Sequence, residues 1–197
     1  EENAAFPDSM VDRIVPATTP DDLADAARAL GLEDRAAVFA EPFRQWVIED
    51  RFIEGRPKWE SAGAQLVSDV APFEFMKLRM LNGAHSSLAY LGYLAGYETV
   101  AEASADPTLT AYLIGLWKEI IPTVPPPPGV HLQAYADALL VRFRNPAIHH
   151  RTWQIAMDGS QKLPQRLLAT IRDRLKKEER IAHLAVGVAA WMRYVMG

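Results

Sequence analysis

The stretch DVAPFEFMKLRMLNGAHSSLAYLGYLAGY, residues 69–97, decides the fold class of this chain. Its apolar residues recur at spacings of three and four, the pattern of a helix with an apolar face. The pattern predicts one long helix to about Gly96, with Pro72 tolerated in the first turn because the first backbone N–H groups of a helix are unpaired. Gly83 and Gly92 inside this helix each cost about 1 kcal/mol relative to Ala. We therefore expect a neighbour or a ligand to approach the backbone closely at these glycines.

The same spacing continues along most of the chain, while strand-like alternation is scarce. The sequence therefore predicts a mainly α, multi-helical fold with roughly seven or eight helices. The predicted helices besides the long one cover residues 20–30, 107–121, 131–142, 151–157, 163–174 and 178–196. The proline-rich residues 121–129 are expected to form an extended connector without helix. Residues 38–52 carry mixed strand and helix signals, and residues 6–15 are predicted to be extended.

The composition is that of a globular protein. Of the 197 residues, 49% are hydrophobic and 23% are charged, which excludes a disordered or fibrous chain. The chain has no cysteine, so disulfide scaffolds and thiolate metal sites are excluded and a cytoplasmic location is expected. The net charge of -4 argues against strong non-specific binding to nucleic acid or to an anionic membrane. No apolar run reaches the roughly 18 residues that span a bilayer, and we expect a soluble protein.

The charge is unevenly distributed along the chain. Residues 142–180 hold ten basic and four acidic side chains, although the protein as a whole is acidic. Such a segment can face an anionic ligand, or it can be a solvated helix face with interleaved acids, and the sequence leaves both interpretations open.

Several familiar site motifs are missing from the sequence. It has no glycine-rich dinucleotide fingerprint, no phosphate-binding loop and no nucleophile elbow. His149 and His150 are adjacent, and adjacent helical side chains diverge by about 100°, so they do not form a metal-binding pair. No metal site is predicted.

The long helix carries three polar side chains that could perform chemistry. At about 100° per residue, His85 lies about 60° from Asn82 and about 80° from Lys77, so one face presents an imidazole, an amide and an ammonium. A partly desolvated lysine can act as a general base, while an asparagine donates to a developing alkoxide. The alternative is structural, with Lys77 solvated, Asn82 on the surface and His85 a buried histidine with its bonds satisfied. The spacing alone does not decide between them.

Four separated stretches resemble the C-terminal domain of the mannitol dehydrogenase family, the polyol-specific long-chain dehydrogenases. They are MVDRIVPATT from Met10, EPFRQWVIEDRF from Glu41, the long-helix stretch from Asp69, and RTWQIAMDGSQKLPQR from Arg151. They occur in the family's order and cover nearly the whole chain. The resemblance implies an architecture similar to the helical C-terminal domains of the 6-phosphogluconate dehydrogenase group. Residues 1–197 are accordingly expected to form one helical substrate-binding and catalytic domain.

The resemblance also implies a chemistry, which is reversible hydride transfer between NAD(H) and a C–OH group of a sugar alcohol or sugar acid, without a metal. The family's Lys-x4-Asn-x2-His pattern is matched by Lys77, Asn82 and His85. Lys77 would be the general acid/base, Asn82 would bind the oxyanion, and His85 would position a substrate hydroxyl and the lysine. Asp12 matches a family acid that would tune the lysine and accept bonds from substrate hydroxyls. Lys162 matches a substrate-contacting position.

One departure from the family is a truncation. The Rossmann domain that precedes this region in the family is expected to lie outside this chain, together with a second oxyanion-binding asparagine that the family draws from it, so the chain is expected to be a domain fragment. We expect that domain to be the partner of this chain and to hold most of the NAD. The chain alone is therefore predicted not to turn over.

Within the family, two sequence segments favour fructuronate reductase (D-mannonate oxidoreductase) activity: AYLGYLAGY from Ala89 and QIAMDGSQKLPQR from Gln154. The basic bias after Arg142 supports this choice because it could meet a carboxylate. Mannitol 2-dehydrogenase activity is the alternative, because the Lys-Asn-His pattern would contact only the reacting alcohol and does not distinguish substrates by their other end. A function of a different class is also possible from the sequence, namely a non-catalytic helical module for ligand binding or interaction.

Overall fold

The computed structural model describes residues 4–197, and in this part of the chain the fold is mainly helical, which confirms the predicted fold class. A small three-stranded sheet lies beside the helices. The α-helices are α1 (Pro20–Leu30), α2 (Ala71–Met76), α3 (Gly83–Leu94), α4 (Val100–Ala105), α5 (Pro107–Ile120), α6 (Leu132–Phe143), α7 (Thr152–Ala156), α8 (Gly159–Leu163), α9 (Ala169–Leu175) and α10 (Ala182–Val195).

Helices α1 and α5 begin where the sequence places capping residues. At the start of α1, the Thr19 hydroxyl accepts the backbone N–H of Asp22, and the Asp22 carboxylate accepts the N–H of Thr19. Gly31 ends α1 in the left-handed conformation, with φ at 71°. The Asp106 carboxylate accepts two backbone N–H groups in the first turn of α5.

Other boundaries differ from the prediction. The helix expected at residues 163–174 begins earlier, as α8, and continues through a π-helical segment, Pro164–Leu168, into α9. The last helix begins at Ala182 rather than at residue 178, because Glu178 has a φ of 57° and breaks the helical path. The proline-rich connector opens with a 3-10 turn, Ile121–Thr123, where no helix was expected. Helix α4 was not predicted.

The sheet consists of β1 (Ser9–Asp12), β2 (Gln45–Glu49) and β3 (Gln65–Val67), in that order. Strand β1 pairs antiparallel with β2, and β3 pairs parallel with β2. The mixed signals at residues 38–52 resolve into β2, and the predicted extended segment at residues 6–15 contains β1. Alternate residues of β1 are buried, so Met10 and Asp12 face the helices.

Helix α3 forms the centre of the core. Leu88, Ala89 and Tyr90 have no exposed surface, and helices α4, α5, α7 and α10 pack around them. The expectation for the two glycines is confirmed. A Cβ at Gly83 would stand 2.9 Å from the backbone oxygen of Arg166, and one at Gly92 would stand 2.9 Å from the Cβ of Ala103. Neighbouring elements therefore approach α3 more closely than a side chain would allow.

Candidate active site

The predicted residues meet at one cavity of about 240 Å³. It lies between the end of strand β1, the start of helix α3 and the segment that runs from α7 to α9. All five residues singled out in the sequence line it. The lining residues are Asp12, Arg13, Ile14, Val15, Lys77, Leu81, Asn82, His85, His150, Gln154, Ile155, Lys162 and Arg166.

A π-helical segment, Lys77–Asn82, separates α2 from α3 and decides how Lys77 and Asn82 are arranged. In an α-helix, residues five apart differ in direction by about 140°. In a π turn the backbone bond runs between residues five apart, as between the N–H of Gly83 and the carbonyl of Leu78, so residues five apart lie on the same face. Lys77 and Asn82 are five apart. The π segment therefore turns both side chains towards the cavity.

The ammonium group of Lys77 is held by strand β1. Its Nζ donates a hydrogen bond of 2.5 Å to the backbone carbonyl oxygen of Val11, and the side chain is half-buried. A backbone carbonyl accepts this proton without contributing a full charge. Lys77 is thus oriented by a fixed acceptor while it remains accessible from the cavity.

His85 is buried in the wall of the cavity, with 6% of its surface exposed. Its ring stacks on Phe143 at 5.1 Å between centroids and meets the edge of His150 at 4.8 Å. Burial lowers the pKa of His85 well below its usual value, so the ring is neutral near pH 7. Its Nε2 is buried and bonds to no other atom of residues 4–197.

Asp12 lies in the cavity wall, but its carboxylate accepts hydrogen bonds from Arg142 and Tyr135 and not from Lys77. Arg142 donates to both of its oxygens, at 2.7 and 3.0 Å, and the Tyr135 hydroxyl donates to one of them at 2.8 Å. Arg142 also donates to both oxygens of Glu41, at 2.6 and 2.9 Å, so one guanidinium joins two buried carboxylates. Burial, with the neighbouring Asp12 charge, raises the pKa of Tyr135, which keeps its proton. A role for Asp12 in binding substrate stays a prediction.

Lys162 reaches the cavity from helix α8. Its Nζ donates to the carbonyl oxygen of Met157 at 2.6 Å and lies 3.8 Å from the exposed carboxylate of Asp158. Burial and then the nearby charge of Arg166 lower the pKa of Lys162. The predicted contact with substrate agrees with this position and stays a prediction.

Four residues at or near the site were missed by the sequence reasoning: His150, Gln154, Arg166 and Arg142. Arg166 follows Lys162 by four residues, a spacing that places two side chains on one face of a helix and could have identified it. Arg142 and its partner Asp12 are 130 residues apart, and no local pattern indicates their contact.

The donor set fits the alcohol end of a nicotinamide-dependent reaction, because a lysine can take a hydroxyl proton and an amide can stabilise the resulting oxyanion. A glycine-rich loop for the phosphates of a dinucleotide does not occur in residues 4–197. In the same range, no cluster of three His, Cys, Asp or Glu side chains could hold a metal ion. Within these residues, too, none of the helices has the length and apolar character needed to span a bilayer.

A helical domain that offers an ammonium, an amide and a neutral imidazole to one polar cavity is suited to binding a hydroxylated small molecule and moving its proton. The comparison with protein families identifies the family of this chain. Residues 69–197 match the mannitol dehydrogenase C-terminal domain, and residues 1–61 match the mannitol dehydrogenase Rossmann domain. The chain belongs to the mannitol dehydrogenase family. The match of the first 61 residues was not anticipated from the sequence, where the whole chain was assigned to the C-terminal domain.

Among its relatives, D-mannonate oxidoreductase of Escherichia coli is 58% identical over the whole chain, which covers 41% of that protein. Mannitol dehydrogenase 2 of Saccharomyces cerevisiae is 45% identical over the whole chain and 40% of its own length. Mannitol 2-dehydrogenase of Pseudomonas fluorescens, solved with NAD and D-mannitol, superposes with a TM-score of 0.92 at 40% identity, covering 98% of this chain and 39% of that one. The chain thus spans about two fifths of the length of the relatives it matches.

Proposed function

We propose that this chain is the substrate-binding and proton-transferring part of an NAD-dependent oxidoreductase that interconverts a sugar alcohol or aldonate with its keto sugar. The observation that carries the proposal is the convergence of Lys77, Asn82 and His85 on one cavity, produced by the π segment. We further propose D-mannonate and D-fructuronate as the preferred pair. The name and 58% identity of the E. coli relative support this choice.

In the direction of alcohol oxidation, the reacting hydroxyl lies against Lys77 and Asn82. Lys77 in its neutral form takes the hydroxyl proton on Nζ, and the Val11 carbonyl keeps that nitrogen in place. Asn82 donates from its amide to the oxygen while negative charge develops there. His85, neutral and with a free Nε2, hydrogen-bonds a neighbouring hydroxyl. Bound NAD supplies the acceptor for the hydride. In the reverse direction, protonated Lys77 returns its proton to the new alkoxide.

The substitution Lys77→Ala tests this assignment in the intact protein that carries the chain. We expect kcat for D-mannonate oxidation and for D-fructuronate reduction to fall by about 10²–10⁴-fold, the usual contribution of a general acid/base. Substrate binding should be largely retained, because Asn82, His85 and Lys162 remain. Lys118→Ala, on the exposed surface of α5, is the control and should leave the rates unchanged. Near-normal turnover by Lys77→Ala would show that the Lys-Asn-His group is structural.

Mannitol 2-dehydrogenase activity is the second candidate. It is favoured by the close superposition on the P. fluorescens enzyme of that name. The two candidates are separated by kcat/KM for D-mannonate and for D-mannitol, measured with the same preparation. A higher value for D-mannitol would refute the aldonate assignment and leave the role of Lys77 intact.

A further inference from the structure

The charge of the cavity is one-sided. Four cationic side chains line it: Arg13, Lys77, Lys162 and Arg166. Asp12 is the one carboxylate in this lining, and it shares Arg142 with Glu41, so this group adds one net negative charge against the four cations. A cavity with this balance attracts an anionic ligand over a neutral one.

Arg166 is half-buried and has few polar contacts with the protein. One terminal nitrogen donates to the Ser86 hydroxyl at 2.9 Å, while its Nε is buried and bonds to nothing in residues 4–197. Within the same residues, no carboxylate oxygen lies within 4 Å of its guanidinium. Burial lowers the pKa of Arg166 from its usual value, which shows that the surrounding protein disfavours its charge. A partly buried charge is less well solvated than an exposed one, so a guanidinium in this position favours an anionic partner.

The backbone fixes where Arg166 stands relative to the reacting group. Its carbonyl oxygen packs against Gly83, where a Cβ would come within 2.9 Å, and its guanidinium is anchored on Ser86. Ser86 lies nine residues after Lys77, which is roughly 13 Å along the helix axis at the α-helical rise. Arg166 therefore approaches the cavity from the end away from Lys77, with His85 between them.

Lys162 adds a second cation to the same end. It precedes Arg166 by four residues along the continuous helical path from α8. Burial and then the nearby positive charge of Arg166 lower the pKa of Lys162. Its contacts are with backbone carbonyls and with the exposed Asp158, so its charge is also not fully matched inside the cavity.

We propose that Arg166, supported by Lys162, binds the terminal carboxylate of the substrate and sets a preference for sugar acids over neutral polyols. The inference rests on the proposed function, because it takes the reacting hydroxyl to lie at Lys77. In D-mannonate, the carbon that becomes the ketone of D-fructuronate is at the opposite end of the chain from the carboxylate. A guanidinium binds a carboxylate through charge-assisted N–H donors, and Arg166 lines the cavity with only one terminal nitrogen engaged, by Ser86.

The test compares D-mannonate with D-mannitol, which has a hydroxymethyl group in place of the carboxylate. Steady-state rates are measured on the intact protein and on Arg166→Met, which retains an apolar stem of similar length. We expect KM for D-mannonate to rise by about 10–100-fold, the range for one charged hydrogen-bonded contact. The kcat for D-mannonate and both constants for D-mannitol should change little. Arg172→Met, an exposed arginine on α9, should change none of them.

Three results would overturn the inference: an unchanged KM for D-mannonate, an equal rise for both substrates, or a rise in KM for NAD alone, which would place a cofactor phosphate at Arg166. Circular dichroism checks that Arg166→Met is folded. If it is not, Arg166→Lys keeps the charge but loses the two-pronged geometry, and a selective rise in KM for D-mannonate is again expected. The Lys77→Ala variant separates this inference from the proposed function, because it should lose turnover with both substrates whatever Arg166 binds.

Discussion

A buried histidine, His85, and a half-buried one, His150, lie beside each other in the wall of the cavity, and their protonation is linked to folding. Burial lowers the pKa of His85 well below its usual value and lowers that of His150 to about 4. The nitrogen Nδ1 of His150 is buried and, like Nε2 of His85, bonds to no atom of residues 4–197. Both rings are therefore neutral in the folded protein at pH 7, and both would bind a proton more readily in the unfolded chain.

This difference predicts an acid sensitivity of stability. Because the folded-state pKa of each histidine is lowered, the unfolded chain binds more protons as pH falls below about 6.5, and stability falls by up to about 1.4 kcal/mol per pH unit for each ring. The loss contributed by His150 should end near its folded-state pKa of about 4. His150→Gln should therefore reduce the pH dependence of the unfolding free energy, measured with urea between these limits. His149→Gln, at the exposed neighbouring residue, should leave the slope unchanged, and equal slopes for all three proteins would contradict the linkage.

At the scale of elements, Arg142 connects the small sheet to the helices. It lies in the last turn of α6 and bonds Asp12 at the end of β1 as well as Glu41 in the loop before β2. Glu41 in turn accepts the backbone N–H of Ile14 at 2.6 Å. Since Val11 of the same strand holds Lys77, this buried ionic group also fixes the acceptor of the proposed general base.

Arg142→Met is predicted to be strongly destabilising, because it leaves two buried carboxylates without a cation. The expected loss is about 3–5 kcal/mol of unfolding free energy, measured by urea denaturation near pH 7. Arg144→Met is the matched control two residues away. That arginine bonds only the Ser104 carbonyl and the Thr110 hydroxyl, so its loss should cost about 1 kcal/mol. A similar cost for the two variants would show that the ionic group contributes little.

The elements also show which parts of the fold the sequence could predict. Helices with an explicit stop or start, such as α1 with Thr19 and Gly31 and α5 with Asp106, were predicted because capping is local. The pattern of Lys77, Asn82 and His85 was identified from spacing and resemblance. The π geometry between Lys77 and Asn82 was not predicted, because it depends on how the helix packs against the rest of the fold rather than on a local signal. The assumed 100° per residue gave a wider separation than the structure has.

At the scale of the whole molecule, the long-range contacts lay beyond prediction. Strand β3 has only three residues, too few for a recognisable alternating pattern. Arg142 contacts Asp12 and Glu41, and each of these two contacts joins residues more than a hundred positions apart in the sequence. A single sequence contains no periodic signal for such contacts. The unmatched charge of Arg166 was likewise visible only once burial and partners were known.

The chain without further protein is predicted to bind substrate but not to oxidise it. The cavity supplies the groups for the alcohol, and no dinucleotide fingerprint occurs in the described residues. NADH absorbance should therefore stay at background when the 197-residue chain is mixed with D-mannonate and NAD, while NMR titration with D-mannonate shifts the resonances of Lys162 and Arg166. Addition of a Rossmann domain of the family in trans should restore some turnover. Binding without any recovered turnover would favour a non-catalytic binding module, and turnover by the chain alone would contradict the prediction.

The π segment Lys77–Asn82 has a consequence for how such a site is acquired during evolution. A π turn contains one more residue than an α turn, so removing a single codon from this segment would return the helix to regular winding without demanding a new fold. The lysine and the asparagine would then be four residues apart, a separation of about 40° around an α-helix, so they would still share a face while α3 and its core contacts persisted. A one-residue insertion that creates a π turn therefore changes the winding of this helix without separating the ammonium from the amide, a kind of change that comparisons restricted to point substitutions would not detect.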